Sequence, residues 1–453
     1  MTIDDKYREM TETPVRRLVV RLAVPTMLSM MVTSFYNVVD AAFVGHLSTE
    51  ATAGIGVAFA YMLLVNALGF FFGHGSGNYI SRELGARRRD TAARMASVGF
   101  FTPFLISVAL VVVMLPNLAG LARLLGGTPA VVPYAVDYLR FIVAATPFMM
   151  TSLTLNNQLR LQGNARLGTI GLVSGAILNI GLDAVFIVGL GMGVSGASLA
   201  TAVSQFVCWM LLLWGTSRRE SVPVRLRGFR PSARVYREIL MGGFPSLCRQ
   251  VFNCVSVICL NYVAARYAAP GEEASVVAAF TVVSRTMTFA YSFMLGVNQG
   301  FQPVAGFNYG ARLFGRVLGA YRFAMVFSSV LLSLVAAVIY VFAPQIVCSY
   351  RAEDCVMVAV GIRVLRYQCV TFGLVAVPVT TNMLFQVIRM PIRSALLSVG
   401  RQGTFFISAL LVLPCFWGLQ GVMLAQPVAD VATFLFGVPF IVWIVRKLRN
   451  NME

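Results

Sequence analysis

Three aspartates lie within long apolar runs of this sequence, at Asp40, Asp183 and Asp430. A charged side chain is costly at such a position and is by default a functional hypothesis. Asp183 is the most isolated, because residues 167–217 contain no other Asp, Glu, Lys, Arg or His. Carboxylate oxygens suit hard cations, Na⁺ by extension, and two neighbouring carboxylates in a low-dielectric site also retain a proton. Asp40 and Asp183 therefore indicate reversible binding of a small cation.

The apolar runs that contain these acids predict a membrane protein. The chain has 453 residues, of which 58% are hydrophobic and 12% charged, whereas a soluble domain has about 25% charged residues. A membrane helix needs about 20 mostly apolar residues. Runs of this kind predict twelve spans, near 18–46, 53–81, 95–117, 131–158, 167–190, 194–217, 238–265, 275–309, 317–346, 356–388, 394–416 and 420–445. The predicted fold class is therefore an all-α membrane protein with twelve transmembrane helices.

The basic residues alternate between the two predicted sides of the membrane. The two termini and the loops after every second span contain 25 Arg and Lys, whereas the other six loops contain only Arg123, Arg266 and Arg351. Cytoplasmic loops hold the excess of basic residues, so both termini are predicted to be cytoplasmic. The net charge of +18 is explained by these loops, and we do not expect nucleic acid as a partner.

The two halves of the chain resemble each other weakly. "LGARRRD" (84–90) corresponds to "YGARLFG" (309–315), and "GVSGASLA" (193–200) corresponds to "GLQGVMLA" (418–425), both at an offset of 225 residues. We predict two pseudo-symmetric six-helix lobes, an N-terminal lobe at 1–217 and a C-terminal lobe at 238–453, joined by a cytoplasmic linker at 218–237. Parallel repeats of this kind characterise one class of secondary transporters.

The sequence contains no motif for ATP binding. GxxxxGK[ST] is absent, and the glycine-rich "GHGSG" (73–77) lies inside the second span, where close helix packing is the expected role. A pump of this kind would therefore use an ion gradient. We expect no cofactor, and no metal beyond Na⁺.

The predicted topology brings polar residues of the first half to a similar depth. Asp40, Asp183 and Thr201 all fall in the outer half of their spans, and Asn179 lies one helical turn from Asp183 on the same face. These four residues are the predicted cation site. The alternative is that each Asp is protonated and only holds helices together. Asp430 has no neighbouring acid, and both roles stay open for it.

Several segments resemble the multidrug and toxic compound extrusion (MATE) family, and most closely its MepA-like bacterial branch. They are "LAVPTMLSMMVTSFYNVVDAAFVGHL" (22–47), "YISRELGARR" (79–88), "LQGNAR" (161–166), "NIGLD" (179–183) and "GVSGASLAT" (193–201). The resemblance covers essentially the whole chain. It implies antiport of amphipathic, often cationic compounds against a cation, with Asp40, Asn179, Asp183 and Thr201 as the cation site.

The resemblance also implies a substrate cavity between the lobes. Adaptable Met side chains and aromatic faces suit organic cations. The candidates for this cavity are Met149, Met150, Met287, Phe289 and Tyr291. Weaker candidates for the cation site are Tyr36, Asn37 and Asn156. Ordinary helix packing is the alternative for each of the cavity candidates.

We therefore predict multidrug efflux by H⁺- or Na⁺-coupled antiport in a bacterial inner membrane, with the lipid bilayer and small-molecule drugs as partners. A monomer can suffice, because the two halves form a complete cavity. A lipid or glycolipid flippase of a related fold is the alternative, since Arg363, Arg366 and Arg401 lie within or near spans. A membrane-embedded enzyme is disfavoured by the lack of a catalytic constellation. Cys348 and Cys355 flank an outer loop, and a disulfide between them is left open.

Overall fold

The computed structural model of the chain describes residues 2–45, 49–350 and 353–452, with the backbone alone for 36–45 and 49–52. All regular secondary structure in these ranges is helical. The α-helices are α1 Ile3–Glu12, α2 Val15–Gly45, α3 Thr49–Gly85, α4 Arg89–Met114, α5 Leu118–Leu124, α6 Val132–Leu161, α7 Ala165–Asp183, α8 Gly193–Thr216, α9 Ala233–Arg266, α10 Glu273–Gly310, α11 Phe314–Cys348, α12 Cys355–Phe372, α13 Ala376–Val387, α14 Pro391–Val399 and α15 Phe405–Asn450. Short 3₁₀ turns lie at Leu115–Asn117, Leu226–Gly228 and Gly373–Val375.

Two of the spans contain π-helical turns. The first, π1 (Ala184–Gly189), continues α7, and the second, π2 (Gly400–Thr404), joins α14 to α15. A π turn changes the direction in which the following side chains point, and such turns are frequent at functional sites. No sequence pattern predicted either turn.

The described residues contain the predicted twelve spans. Eleven helical segments are long and apolar enough to cross a membrane, and the last of them, Pro391–Asn450, has 60 residues. At 1.5 Å per residue this segment is about 90 Å long, enough for more than one crossing of a bilayer about 30 Å thick. Gly418 interrupts it with φ 55° and ψ −134°, a conformation that glycine adopts readily. The last segment therefore contains two spans, and the predicted break at 416–420 is confirmed.

The chain divides into two compact units. The first comprises Met1–Thr13, Leu28–Leu247 and Gly306–Arg312, and the second comprises Pro14–Met27, Cys248–Ala305 and Leu313–Glu453. The predicted lobes at 1–217 and 238–453 and the linker at 218–237 rest on the sequence repeat, and they stay a prediction.

Small residues bring helices of the first unit close together. A Cβ on Gly75 of α3 would lie 2.4 Å from the carbonyl oxygen of Ile239 in α9, and one on Gly77 would lie 2.5 Å from Cδ1 of Leu161 in α6. Gly75 has no room for a side chain against the backbone of α9, and at Gly77 the Leu161 side chain would have to move. The "GHGSG" segment therefore serves helix packing, as the sequence indicated.

The first unit also contains the N-terminal helix α1, which the sequence did not predict. Thr2 and Asp5 form a capping box at its start, and the hydrogen bonds from the Thr2 backbone and hydroxyl lower the pKa of the Asp5 carboxyl. At the other end, Met10 is fully buried, and its carbonyl accepts a hydrogen bond of 3.0 Å from Asn308 Nδ2. The polar N-terminus is therefore a docked helix.

The core of the second unit contains side chains from α9 to α13 and from α15, among them Val283, Leu332, Val364, Leu410 and Ala425. At the edge of this unit, Cys348 ends α11 and Cys355 begins α12. Both have free thiols, so the disulfide that the sequence left open is not formed in this structure.

Candidate functional site

Asn179 and Thr201 come together where α7 packs against α8, and Asp183 lies one helical turn after Asn179 on α7. All three are buried, with exposed fractions of 3%, 0% and 6%. Asn179 Nδ2 donates a hydrogen bond of 3.4 Å to Thr201 Oγ1. The threonine hydroxyl in turn donates to the carbonyl of Ala197 at 3.1 Å. Three of the four residues predicted for the cation site therefore belong to one buried region of the first unit.

A stripe of small residues on α7 explains why this region is buried. Gly171, Gly175, Asn179 and Asp183 follow one another at intervals of four, so they share one helix face. A Cβ on Gly171 would lie 2.6 Å from Leu212 Cδ2, and one on Gly175 would lie 3.0 Å from the Cβ of Cys208. The glycines allow α7 and α8 to approach closely, as small residues do in membrane helix pairs. This approach brings Asn179 within reach of α8.

The helix changes its geometry directly after the carboxylate. α7 ends at Asp183, and π1 follows, with Leu190 N donating to Val185 O at 2.9 Å. A π turn inserts an extra residue and leaves one backbone carbonyl without its usual α-helical partner. Backbone oxygens of this kind are ligands for hard cations. Asp183 therefore lies at a point where the backbone itself can supply oxygen ligands.

Asp40, Tyr36 and Asn37 lie outside the residues whose side chains are described. Their backbone belongs to α2, which is fixed to α7 by a hydrogen bond of 2.9 Å from Ser29 Oγ to Thr169 Oγ1. From that bond, position 40 lies about 16 Å further along α2, and position 183 lies about 21 Å further along α7. For helices that run in the same direction, the two positions differ in level by about one helical turn. The assignment of Asp40 to the site stays a prediction.

The weaker candidate Asn156 is placed elsewhere. Its Nδ2 would lie 2.8 Å from a Cβ on Gly168, near the start of α7. Gly168 precedes Asn179 by eleven residues, which is about 16 Å along the helix. The structure therefore does not bring Asn156 next to Asn179 and Asp183.

The residues proposed for the substrate cavity have different degrees of exposure. Met149, Met150 and Met287 are buried, with exposed fractions of 4%, 0% and 8%, whereas Phe289 is 40% exposed. Tyr291 is partly buried, and the guanidinium of Arg401 lies 5.3 Å from the centre of its ring. Their role in substrate binding stays a prediction.

Asp430 of the second unit has a basic partner that sequence reasoning missed. Its Oδ1 accepts hydrogen bonds of 2.9 Å from Arg401 Nε and of 2.9 Å from Gln426 Nε2. The carboxylate is 2% exposed and the arginine side chain 13%. Gln426 precedes Asp430 by one helical turn, which the sequence could have indicated. The contact with Arg401 depends on π2, and the sequence could not have indicated that turn.

His74, one of two histidines in the chain, takes part in helix packing. Its Nε2 lies 3.4 Å from Arg160 Nη2, and its Nδ1 lies 3.2 Å from the carbonyl of Phe70. Arg160 also donates to Asn157 Oδ1 at 2.8 Å. Among the described residues, no three His, Cys, Asp or Glu side chains form a group that could hold a metal ion.

Comparisons with known proteins agree with this architecture. The MatE family profile matches residues 25–185 and 245–412, one match in each half of the chain. The chain is 24% identical over 452 residues to a multidrug export protein MepA from Staphylococcus haemolyticus, with 99% of this chain and 97% of that protein covered.

Solved structures of transporters share the fold. An outward-facing multidrug resistance MATE family transporter of the MOP superfamily superposes with a TM-score of 0.91 and 28% identity, over 98% of each chain. A MOP superfamily transporter from Pyrococcus furiosus gives a TM-score of 0.90 and 28% identity, also over 98% of each chain. The profile matches well over half of the chain, and the fold agrees throughout. The chain belongs to the MatE family of multi-pass membrane transporters.

Proposed function

We propose that the protein exports amphipathic, often cationic compounds in exchange for H⁺ or Na⁺ across a bacterial inner membrane. The observation that carries this proposal is the buried region of Asn179, Asp183 and Thr201. A carboxyl, an amide and a hydroxyl are all oxygen donors, and they adjoin a π turn that can add a backbone carbonyl. The export of drugs is supported by relatives that are named multidrug export proteins.

In the proposed mechanism, Asp40 and Asp183 hold the cation that enters from outside. Binding of the cation neutralises carboxyl charge in the first unit and changes the packing of α2. Pro25 lies inside α2, and a proline interrupts the helix hydrogen bonds and allows a bend. A bend there would disfavour the drug-bound, outward-facing state and release the drug. A ligand shifts such an equilibrium only by its difference in affinity between the two states.

The orientation and assembly are part of the same proposal. The two termini and the loops on their side of the membrane contain 25 basic residues, and the loops on the other side contain three. This asymmetry supports cytoplasmic termini. Two internal halves supply a complete transport unit, which supports a monomer in the lipid bilayer.

The proposal is tested by dye transport in proteoliposomes. The probe is the ethyl ester of rhodamine B, a lipophilic cation, and a Na⁺ gradient and a pH gradient are imposed in separate experiments. The gradient that drives transport by the unmodified protein identifies the coupling ion. We expect Asp40→Asn and Asp183→Asn to abolish gradient-driven transport, because an amide can neither carry a proton nor neutralise Na⁺.

Asp137→Asn is the matched control, since this acid begins α6 and is exposed. It should transport the dye like the unmodified protein. If both Asp40→Asn and Asp183→Asn, at normal expression, still transport the dye against a gradient, the coupling mechanism is wrong.

A further inference from the structure

A basic pocket lies where the loop between α13 and α14 meets the end of α15. Its volume is about 310 Å³, and the charged side chains that line it are Arg389, Arg393 and Lys447. The indole of Trp443 forms part of the wall, and all of these residues belong to the second unit. Ligand sites have volumes of about 300–1,000 Å³, so the pocket can accept a small charged group.

Trp443 is held in place by α13. The centre of its ring lies 6.4 Å from that of Phe385, which is fully buried. Earlier on α15, a Cβ on Gly437 would lie 3.7 Å from the Cβ of Pro378 in α13. The packing of α15 against α13 therefore brings the basic end of α15 beside the loop that follows α13.

Two cations lie against the ring of Trp443. The guanidinium carbon of Arg393 is 3.4 Å from the ring centre, and Lys447 Nζ is 5.1 Å from it. The two groups are therefore no more than about 8.5 Å apart, the sum of these two distances. Like charges that are about one Debye length apart, about 8 Å at physiological ionic strength, still repel each other. The face of an indole attracts cations without neutralising them, so an anion in the pocket would remove this repulsion.

The described part of the second unit supplies no carboxylate to this pocket. Neither Arg393 nor Lys447 forms an ion pair with any described residue. The unit has six acids, and four of them lie in or next to two loops, namely Glu272, Glu273, Glu353 and Asp354. These loops follow α9 and α11. Because consecutive spans run in opposite directions, both loops lie at the other end of the helices from the loop after α13.

The two remaining acids of the unit are Asp430 and Glu453. Asp430 is paired with Arg401, and it precedes Trp443 by thirteen residues, which is about 20 Å along α15. Glu453, the last residue of the sequence, lies outside the described residues. The anion that balances the basic pocket therefore has to come from outside the described part of this unit.

The pocket adjoins exposed apolar side chains. Ile392 lines it and is 74% exposed, and Leu396, one turn further along α14, is 47% exposed. Val438 and Val442, one turn apart on α15, are exposed as well. Apolar side chains exposed on membrane spans suit acyl chains, and Trp, Arg and Lys near the end of a span are typical of the level of the lipid headgroups. An anion in this pocket is therefore next to the bilayer, on the cytoplasmic side in the proposed topology.

The backbone of the loop adds to the positive charge. α14 begins at Pro391 and has 9 residues, and the first turn of a helix carries a partial positive charge on its free amide groups. The side chains of Ile392 and Arg393, in this turn, line the pocket. Arg389 has φ 63°, in the left-handed region where glycine usually ends a helix, so arginine at this position strains the backbone. Backbone and side chains of the loop therefore both favour an anion.

We propose that the basic pocket binds the phosphate of an anionic phospholipid. Arg393 and Lys447 hold the phosphate beside Trp443, Arg389 contacts it from the loop, and the acyl chains lie along the exposed apolar side chains of α14 and α15. Arginine and lysine form charge-assisted hydrogen bonds with phosphate oxygens, and basic pockets between membrane helices bind anionic headgroups. The bound lipid connects the end of α15 to the start of α14. This site is independent of the exported compound and of the coupling ion.

The test is native mass spectrometry of the full-length protein in detergent, which counts the bound lipids and gives the affinity for each. The probes are dioleoyl phosphatidylglycerol and dioleoyl phosphatidylcholine, which have the same acyl chains, and glycerol 3-phosphate, which has a phosphate and no acyl chain. We expect the first phosphatidylglycerol to bind about 25-fold more tightly than the first phosphatidylcholine, about 5-fold for each of the two basic side chains at Trp443. Glycerol 3-phosphate should not displace it.

The decisive variant is Arg393→Gln/Lys447→Gln, which should lose most of this preference while phosphatidylcholine binds as before. Arg446→Gln/Arg449→Gln is the matched control, because it removes two positive charges from the same end of α15 at exposed positions outside the pocket. It should keep the preference. Lys447→Gln alone leaves the contact of Arg393 with Trp443 intact, and it should lose about 5-fold.

Four results would overturn the inference. Equal affinities for the two lipids in the unmodified protein would show that the pocket does not select a charge. Equal losses in the two double variants would show that the net charge at this end of α15 attracts the lipid. Displacement of the lipid by an equal concentration of glycerol 3-phosphate would identify a soluble phosphate as the occupant. A tighter binding of phosphatidylglycerol in Glu453→Gln would show that the end of the chain already occupies the pocket.

Discussion

The fifth and eleventh spans occupy corresponding places in the two halves of the chain, and each contains a π turn. In the fifth span π1 follows Asp183, whose neighbours Asn179 and Thr201 offer an amide and a hydroxyl. In the eleventh span π2 contains Arg401, which is bound to the carboxylate of Asp430. The same backbone irregularity thus positions an acid in one half and a base in the other.

The difference indicates different tasks for the two acids. A buried ion pair is held in place, because separating its members leaves an uncompensated charge. The described neighbours Asn179 and Thr201 instead offer an amide and a hydroxyl to a small cation beside Asp183. In the proposed mechanism Asp183 exchanges an ion during transport, whereas Asp430 has a fixed structural role.

The largest expected effect separates these two tasks in one transport assay. Asp183→Asn should abolish gradient-driven transport of rhodamine B ethyl ester, because an amide can neither carry a proton nor neutralise Na⁺. Arg401→Gln/Asp430→Asn should transport the ester as the unmodified protein does, because removing both members of the pair leaves no uncompensated charge. The initial rate in proteoliposomes is the measurement. Equal losses in the two variants would show that both acids serve coupling.

The second prediction concerns the stability of the ion pair. Asp430→Asn leaves the guanidinium of Arg401 buried without its counter-charge, so we expect the free energy of unfolding to fall by about 3–5 kcal/mol. Arg401→Gln/Asp430→Asn leaves no such charge and should lose much less. The midpoints of thermal unfolding in detergent provide the comparison. If the single variant is as stable as the double variant, the pair does not hold the eleventh span in place.

Much of this arrangement followed from the sequence alone. The twelve spans could be predicted because a bilayer requires long apolar runs. Successive loops are also alternately rich and poor in Arg and Lys, as expected for loops on opposite sides of the membrane. Asn179 and Asp183 could be placed on one face because a helix repeats nearly every four residues. Thr201 could be placed opposite them by counting depth along an antiparallel span, and its hydrogen bond to Asn179 agrees with that placement.

The remaining features depend on tertiary structure. Nothing in "GRQGT" (400–404) distinguishes a π turn from an α-helix, and the pairing of Arg401 with Asp430 depends on that turn.

The smallest predicted effect tests how closely α7 must pack against α8. A Cβ on Gly175 would lie 3.0 Å from the Cβ of Cys208, whereas a Cβ on Gly181 would meet no atom within 4 Å. Both changes to alanine gain helix propensity, by about 0.5–1 kcal/mol. Gly175→Ala must also separate the helices by a few tenths of an ångström, so we expect it to be about 1–2 kcal/mol less stable than Gly181→Ala.

Transport should be impaired in the same order as stability, more in Gly175→Ala than in Gly181→Ala. Separation of α7 from α8 lengthens the hydrogen bond between Asn179 and Thr201, which is already 3.4 Å. Gly175→Ala should therefore need a steeper ion gradient to transport the ester dye at the rate of Gly181→Ala. If the two variants need the same gradient although their stabilities differ, the contact between α7 and α8 contributes to folding alone, and Asn179 and Thr201 are not ligands of the coupling ion.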